Sequence, residues 1–365
     1  MRWVKIVLVI KYLGSKRTMV PLLGALAEAS GAKTALDLFT GTTRIAQAMK
    51  RAGMHVTALD SATYSKVFAD TWIALDSREI NRRELTDAIA YLESLPGESG
   101  YFTQSFCLDA RYFQPFNGER VDAIREAIAR DYAKTWLEAP LLASLILATD
   151  RVDSTTGVQM AYLKNWSWRS GKPIELKDPG LLPGGGEALL GDALELTPTL
   201  PAVDIAYLDP PYNQHRYFGN YHVWESLVRW DKPETYGVAN KRIDVRGDSN
   251  RSAFNSRKTM PGAIAKLLGD LNAETVVLSY NNESWLSREE LIEMCSDRGH
   301  VEILDYEFKR YIGSQIGIYN RTGALVGEPG TKRNLEHLLI AGPKETVKRM
   351  IAATEHIEVK VSGEA

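Results

Sequence analysis

Apolar positions fall into two alternating patterns near the start of this chain. TALDLF, residues 34–39, is an almost continuous apolar run, the signature of a strand covered on both faces. TGTT follows as a Gly/Thr turn, and RIAQAMKRAG spaces its apolar residues as a helix does. After Gly53 a second short run, HVTAL, predicts a strand that ends at Asp60. Strand, glycine-containing turn, helix and strand form the opening of a doubly wound α/β sheet.

From Thr71 to about Thr156 the strand pattern fades and helical periodicity takes over, in RRELTDAIAYLESL, VDAIREAIARDYAKTWL and PLLASLILATDRV. GVQMAYLKNWSWRSGKPIELK follows, then DPGLLPGGGE, a loop dense in Pro and Gly. Strand patterns resume near Glu187, with AVDIAYL, TVVLSY and HVEILDYEF. The expected fold is therefore α/β, a Rossmann-like sheet domain split into 1–70 and 187–365 by a mainly helical insertion, 71–186. The opening MRWVKIVLVIK has an apolar run from Val4 to Ile10 broken by Lys5. It is far shorter than the ~20 residues of a membrane span and lacks a small-residue cleavage site, so it reads as a short strand or an extension.

Composition narrows the class without changing this picture. A chain of 365 residues that is 44% hydrophobic and 25% charged can bury a core without disulfides or metals. Its mean hydropathy of -0.23 argues against a disordered or membrane-integrated chain. The cysteines, Cys107 and Cys295, have no CxxC or Cys/His spacing, which points to a reducing compartment and no structural zinc. A net charge of -2 speaks against a dedicated nucleic-acid coat protein, but the charges are unevenly placed. Lys241, Arg242, Arg246, Arg251, Arg257 and Lys258 face only Asp244 and Asp248 in their stretch. Between Tyr162 and Lys177, the cations Lys164, Arg169, Lys172 and Lys177 are interleaved with Tyr162, Trp166 and Trp168. Glu187 to Asp209 carries acidic residues and no basic one. Basic segments bearing aromatics suit a phosphate backbone and its bases, and the other reading of them is solvated loops.

Three strings carry chemistry. LDPPYN, Leu208–Asn213, directly follows AVDIAY, and its double proline fixes a turn at the carboxyl end of a strand, where doubly wound folds bind ligands. Asp209 can accept a hydrogen bond from an exocyclic amine. The rigid Pro210-Pro211 backbone can aim a carbonyl at the same nitrogen, and Tyr212 can stack on a planar base. The alternative is a Pro-rich strand terminator. DLFTG, with Asp37, Phe39 and Gly41, lets the backbone approach a ligand but lacks the GxGxxG that cradles a pyrophosphate. It therefore argues against NAD or FAD and suits a phosphate-free ligand such as S-adenosylmethionine, with Asp60 placed for ribose hydroxyls. In KYLGSKR, Gly14 and Ser15 permit close approach and Lys16 can meet the methionine carboxylate; the plainer reading is a basic turn before a helix.

KYLGSKR, DLFTG, and GDA before DPPY, in that order, resemble the D12-class DNA adenine-N6 methyltransferases. The resemblance continues through ATDRVDSTTGVQMAYLKNW, YLDPPYNQHRYFGNYH and LSYNNESW, so it spans most of the chain. It implies an S-adenosylmethionine-dependent methyltransferase sheet, with the helical insertion as the DNA-recognition domain. By position it implies cofactor contacts at Tyr12, Lys16, Asp37, Phe39, Gly41, Asp60 and Asp192, with Asp109 a weaker competitor for the role of Asp192. It implies catalysis at Asp209, Pro210, Pro211 and Tyr212, with Asp209 shared with the cofactor set. Arg251, Arg257, Lys258, Lys164 and Arg169 are the candidate DNA contacts. Double-stranded DNA is the implied partner, a cognate restriction endonuclease is a partner by family habit, and no membrane is involved. The implied setting is the cytoplasm of a bacterial or phage-like system, on the nucleoid through DNA. Ser284 stands where glycine is expected after NNE, and MRWVKIVLV precedes the usual start.

The expected reaction is an in-line methyl transfer to adenine N6 on a base extruded from the duplex. It needs no thiolate, and neither cysteine has a Pro-Cys context. Rival readings are methylation of structured RNA, cytosine N4 methylation (a class that more often has Ser at Asp209) and glutamine methylation (a family with Asn there). A non-catalytic nucleic-acid-binding subunit and a phosphate-cofactor oxidoreductase are the readings from other classes.

Overall fold

The computed structural model describes residues 9–212, 214, 216–247, 251–282, 284–309, 318–319, 325–327 and 333–357. The N-terminal apolar run up to Leu8 lies outside them. Seven strands form the main sheet: β1 Thr34–Leu38, β2 His55–Asp60, β3 Gly186–Leu190, β4 Val203–Leu208, β5 Ala273–Asn281, β6 His300–Lys309 and β7 Arg333–Gly342. Their order is β3-β2-β1-β4-β5-β7-β6. The β1–β4, β4–β5 and β2–β3 pairs run parallel, and β7 runs antiparallel to both β5 and β6. The strand order reverses after β1, so ligands are expected at the carboxyl ends of β1 and β4. This is an open, Rossmann-like α/β sheet.

The principal helices are α1 Val20–Ser30, α2 Arg44–Arg51, α3 Thr63–Ala69, α4 Arg82–Ser94, α5 Pro115–Asp131, α6 Glu138–Arg151, α7 His222–Arg229, α8 Met260–Asp270, α9 Arg288–Ser296 and α10 Lys344–Ala352. Contacts divide the chain into two compact units: Met1–Ser15 with Phe39–Ala193 and His215–Ser252, and Lys16–Leu38 with Leu194–Gln214 and Ala253–Ala365.

The second unit holds β1, β4, β5, β7 and β6. Its central strands read as unbroken apolar runs because both faces are covered: Ala206 and Leu208 of β4 and Val276 and Leu278 of β5 are fully buried. The register sets Leu38 beside Leu208 and Leu208 beside Leu278, so β1, β4 and β5 end level with one another. Helix α1 ends at Gly31, whose φ of 73° suits the left-handed turn after a helix. Its last carbonyls, of Ala29 and Ser30, accept from the Arg349 guanidinium at 2.6 and 2.8 Å, which ties α10 to α1. Helix α9 opens with a reciprocal capping box between Ser287 and Glu290.

The first unit holds β2, β3 and most of the helices. α6 is apolar almost all round and is buried accordingly, and its Thr149 satisfies its hydroxyl on the Leu145 carbonyl at 2.7 Å. The periodic run VDAIREAIARDYAKTWL does not form one helix: α5 ends at Asp131 and Lys134 takes a φ of 62°. There the Lys134 N–H donates to the Glu138 carboxylate at 2.7 Å, fastening the turn into α6. The Tyr162–Lys177 segment is irregular apart from a 3-10 turn at Trp168–Gly171. Cys107 and Cys295 are both buried and free.

Candidate active site

In the second unit, β4 delivers Asp209 at its carboxyl end, where the double proline stops the strand. Asp209 is not alone there. Lys16, just before α1 and only 9% exposed, places its ammonium 3.0 Å from Asp209 Oδ1 and 2.9 Å from Glu336 Oε1. Glu336 projects from β7, and the Ser279 hydroxyl of β5 donates to the same Oε1 at 2.5 Å. In the antiparallel register Glu336 faces Asn281, so Ser279 is its diagonal neighbour, within reach of a long side chain. Burial pushes the Asp209 carboxyl above the usual carboxylate range; Lys16 opposes that rise and Glu336 adds to it. Burial works against the Lys16 ammonium, but Asp209 and Glu336 outweigh it and hold its pKa well above that of a free lysine. Tyr212 presents its ring edge-on to Tyr280, with centroids 6.1 Å apart at 66°, and Tyr280 is pinned by its hydroxyl on Met260 Sδ. Asp37 is buried in β1, opposite Tyr207 of β4.

The first unit gathers the glycine loop and the strand-end acids. Phe39, Gly41 and Thr43 all take positive φ, 66°, 51° and 60°, so the loop between β1 and α2 coils tightly. Thr40 N–H donates to the Leu59 carbonyl at 3.0 Å and Gly41 N–H to Asp60 Oδ2 at 2.7 Å, which staple this loop to the end of β2. Asp60 Oδ1 accepts from Ala62 N–H at 2.9 Å. Burial raises the Asp60 carboxyl against the backbone bonds from Ala62, Gly41 and Ser61. A Cβ on Gly41 would lie 3.3 Å from the Tyr12 ring, which itself stacks on Tyr221 at 4.7 Å and Tyr217 at 5.4 Å. Asp60 pairs with Leu190 across β2 and β3, and Gly191 N–H donates to the Asp60 carbonyl at 3.0 Å. Asp192 therefore sits just past the carboxyl end of the strand beside Asp60. Asp109, its competitor, is exposed at the end of a π-helical turn, Gln104–Leu108, and takes a hydrogen bond from Gln104 at 2.7 Å. That position is in the helical segment and at no strand end.

The candidate DNA contacts are disposed unequally. Lys164, Arg251, Arg257 and Lys258 have exposed side chains. Arg169 spends its guanidinium internally, 2.7 Å from Asp153 Oδ1 and 2.8 Å from the Thr155 carbonyl. Arg242, part of the basic stretch, is 1% exposed and forms paired bonds to Asp231 and Asp244, so its charge is a structural one. Trp168 is 78% exposed with the Lys172 ammonium over its ring at 4.4 Å, and Arg111 covers Trp166 at 4.7 Å. Asp248, Ser249 and Asn250 lie outside the described residues.

The sequence pattern does not single out Glu336, Ser279 or Tyr280. A signal for Glu336 is present all the same: it is the lone acid ahead of the apolar run in NLEHLLIAG, and an acid in a buried strand needs a partner.

Residues 12–294 match the family model described as D12 class N6 adenine-specific DNA methyltransferase. The type II methyltransferase M.NlaIII of Neisseria lactamica is 30% identical over 290 residues, 76% of this chain and 84% of that protein. The modification methylase StsI of Streptococcus sanguinis is 28% identical over 84% of this chain, and the type II methyltransferase M.FokI of Planomicrobium okeanokoites 27% over 80%. The chain spans about half the length of these last two, 49% and 47%. With DPPY at the end of β4, a glycine loop stapled to β2 and a family match across most of its length, this chain belongs to the D12 class of N6 adenine-specific DNA methyltransferases.

Proposed function

We propose that this protein transfers a methyl group from S-adenosylmethionine to the N6 of adenine at a specific site in double-stranded DNA, on a base flipped out of the helix. The observation that carries this reading is Asp209, half-buried at the end of β4 and held by an ion pair to Lys16. An adenine amino lone pair is delocalised into the ring. Hydrogen bonds from its two N–H groups, to the Asp209 carboxylate and the Pro210 carbonyl, draw it back onto nitrogen. Alignment and fixed charge then supply most of the rate enhancement. Extruding the base costs a few kcal/mol, and Tyr212 offsets part of that by stacking on it, with Pro211 stiffening the turn.

The residues of the first unit fit the methyl donor. Gly41 keeps clear the space that a Cβ would fill beside Tyr12, and Asp60 and Asp192 end adjacent strands. When bound, S-adenosylmethionine supplies an electrophilic methyl group on a cationic sulfur. Asp60 would hold ribose hydroxyls, Asp192 the adenine end, and Phe39 and Tyr12 the walls; Asp37, in the second unit, is the remaining residue proposed for the cofactor. The side chain of Lys16 is already engaged with two carboxylates, which favours a role beside Asp209 over one at the methionine carboxylate.

Helices α4 to α6 and the exposed cations Lys164, Arg251, Arg257 and Lys258 are assigned to DNA recognition, with Arg169 bracing the loop of Lys164 through Asp153. The division into a sheet domain, 1–70 with 187–365, and a helical insertion, 71–186, goes with that assignment. The family and the names of the relatives favour DNA over structured RNA. Those names also support a role in restriction-modification; a cognate endonuclease is the proposed partner. Among the described residues no helix is long and apolar enough to cross a membrane. The proposed setting is the cytoplasm of a bacterial or phage-like host, on the nucleoid through DNA.

The deciding experiment uses labelled S-adenosylmethionine with unmethylated duplex DNA and with matched RNA, followed by sequencing of the modified sites. Label at adenine N6 in DNA is expected, and Asp209→Ala should abolish transfer while duplex binding stays within about twofold, since the change removes the acceptor and no basic side chain. Full activity in Asp209→Ala, or label confined to RNA, would sink this reading.

A further inference from the structure

Asp209 and Lys16 by themselves would make a neutral pair. A carboxylate whose charge is cancelled by an ammonium at 3.0 Å is a poor acceptor for an amine and does little for a nitrogen that becomes cationic as it is methylated. The cluster holds a second carboxylate. Glu336, 5% exposed, takes its own share of the Lys16 ammonium at 2.9 Å and is fixed by the Ser279 hydroxyl at 2.5 Å.

We propose that Glu336 is a positioning residue for methyl transfer: it divides Lys16 between two carboxylates and leaves the largely buried cluster with a net charge of about -1, so that Asp209 stays an effective acceptor for the N6 amine. This inference rests on the reading of Asp209 as that acceptor. Glu336 does not touch the amine; it acts through Lys16. An ammonium has three donors, and two carboxylate partners spread over β4 and β7 hold it between them, where a single partner would draw it fully onto Asp209. Tyr207 lies in β4 and Tyr212 on the same turn, and both phenols are pushed up by burial and stay neutral, so they add no competing charge. Among the described residues, the charged side chains acting on Asp209 are Lys16 and Glu336.

Because Glu336 adds to the rise of the Asp209 carboxyl, neutralising Glu336 lowers the pH at which Asp209 loses its charge. Single-turnover methylation of duplex DNA is measured from acid to neutral pH in the full chain and in Glu336→Gln, which keeps the size and an oxygen for Ser279. The expected result is a plateau rate lower by roughly 10- to 100-fold, an acid limb moved to lower pH, and unchanged affinity for duplex and for S-adenosylmethionine. Glu336→Asp, which keeps the charge but shortens the reach, should lose rate while its acid limb stays near the wild-type position.

A wild-type plateau with an unmoved limb in Glu336→Gln overturns the inference, and so does a limb moved to higher pH. If Glu336→Gln does not fold, Glu336→Asp carries the test: a wild-type rate or a displaced limb overturns it. Asp209→Ala separates the two levels. If that variant is dead while Glu336→Gln behaves as wild type, the acceptor reading stands and the role of Glu336 falls; an active Asp209→Ala removes both.

Discussion

Tyr212 shows how much a single side chain can be asked to do. Its ring is set edge-on to Tyr280, whose hydroxyl is itself anchored on Met260, so Tyr212 is braced from one side. Base–aromatic stacking is worth about 1–3 kcal/mol per base, so Tyr212→Ala should slow single-turnover methylation by roughly 5- to 150-fold. Tyr212→Phe and Tyr212→Trp should recover most of that rate, because a π face and not the hydroxyl is what stacks. Equal losses in all three would remove stacking from the mechanism. DPPY is legible in the sequence because prolines and an aromatic in four adjacent residues need no tertiary partner to be recognised. Glu336 is not, because its meaning depends on Lys16, which lies at the other end of the chain and meets it only through β7 packing beside β5.

At the scale of elements, β3 is the strand whose placement matters most for the acids of the first unit. Gly186 opens it, and a Cβ there would lie 2.6 Å from the Val56 carbonyl and 2.8 Å from the Ile73 carbonyl, both backbone atoms that cannot swing aside. Gly186→Ala should therefore push β3 away from β2 and carry Asp192 with it. The expected cost is about 1–3 kcal/mol of stability, seen as a lower urea midpoint, together with S-adenosylmethionine binding weakened roughly tenfold by calorimetry. Normal stability and binding would show that β3 tolerates the side chain and that Asp192 is not held by it. The strands of the parallel sheet are legible as short apolar runs bounded by turns. β7 does not stand out from its surroundings, since an antiparallel strand inserted between β5 and β6 has the same apolar signature as any other buried segment. The overrun of the α5 pattern into Tyr132–Leu137 has a similar origin: the periodicity continues, and the stop comes from a left-handed turn at Lys134 fastened by Glu138.

For the whole molecule, the net charge of -2 is an average over regions of opposite sign. A DNA substrate requires that some of those cations reach phosphates, and affinity then falls with salt in proportion to their number. Replacing Arg257 and Lys258 by neutral residues should reduce the slope of log affinity against log salt by about one unit for each phosphate no longer neutralised. Arg242 supplies the control, because it is buried on Asp231 and Asp244: Arg242→Gln should lower the melting temperature and leave the slope unchanged. An unchanged slope after removing Arg257 and Lys258 would return them to ordinary solvated loops.

The sequence by itself determined the chemistry class and the order of the elements that carry it. KYLGSKR, DLFTG, GDA and DPPY are local strings, and the strand ends that the last three occupy follow from apolar runs and turns that need only neighbouring residues to be read. Tertiary structure decided which charges are free and which are paired. Arg242 and Arg169 look like phosphate contacts in the chain but are spent on Asp231, Asp244 and Asp153, while Lys16, an expected cofactor contact, stands between Asp209 and Glu336. Ion pairing depends on distances of a few ångströms between residues far apart in the chain, and hydrophobic patterning does not encode them.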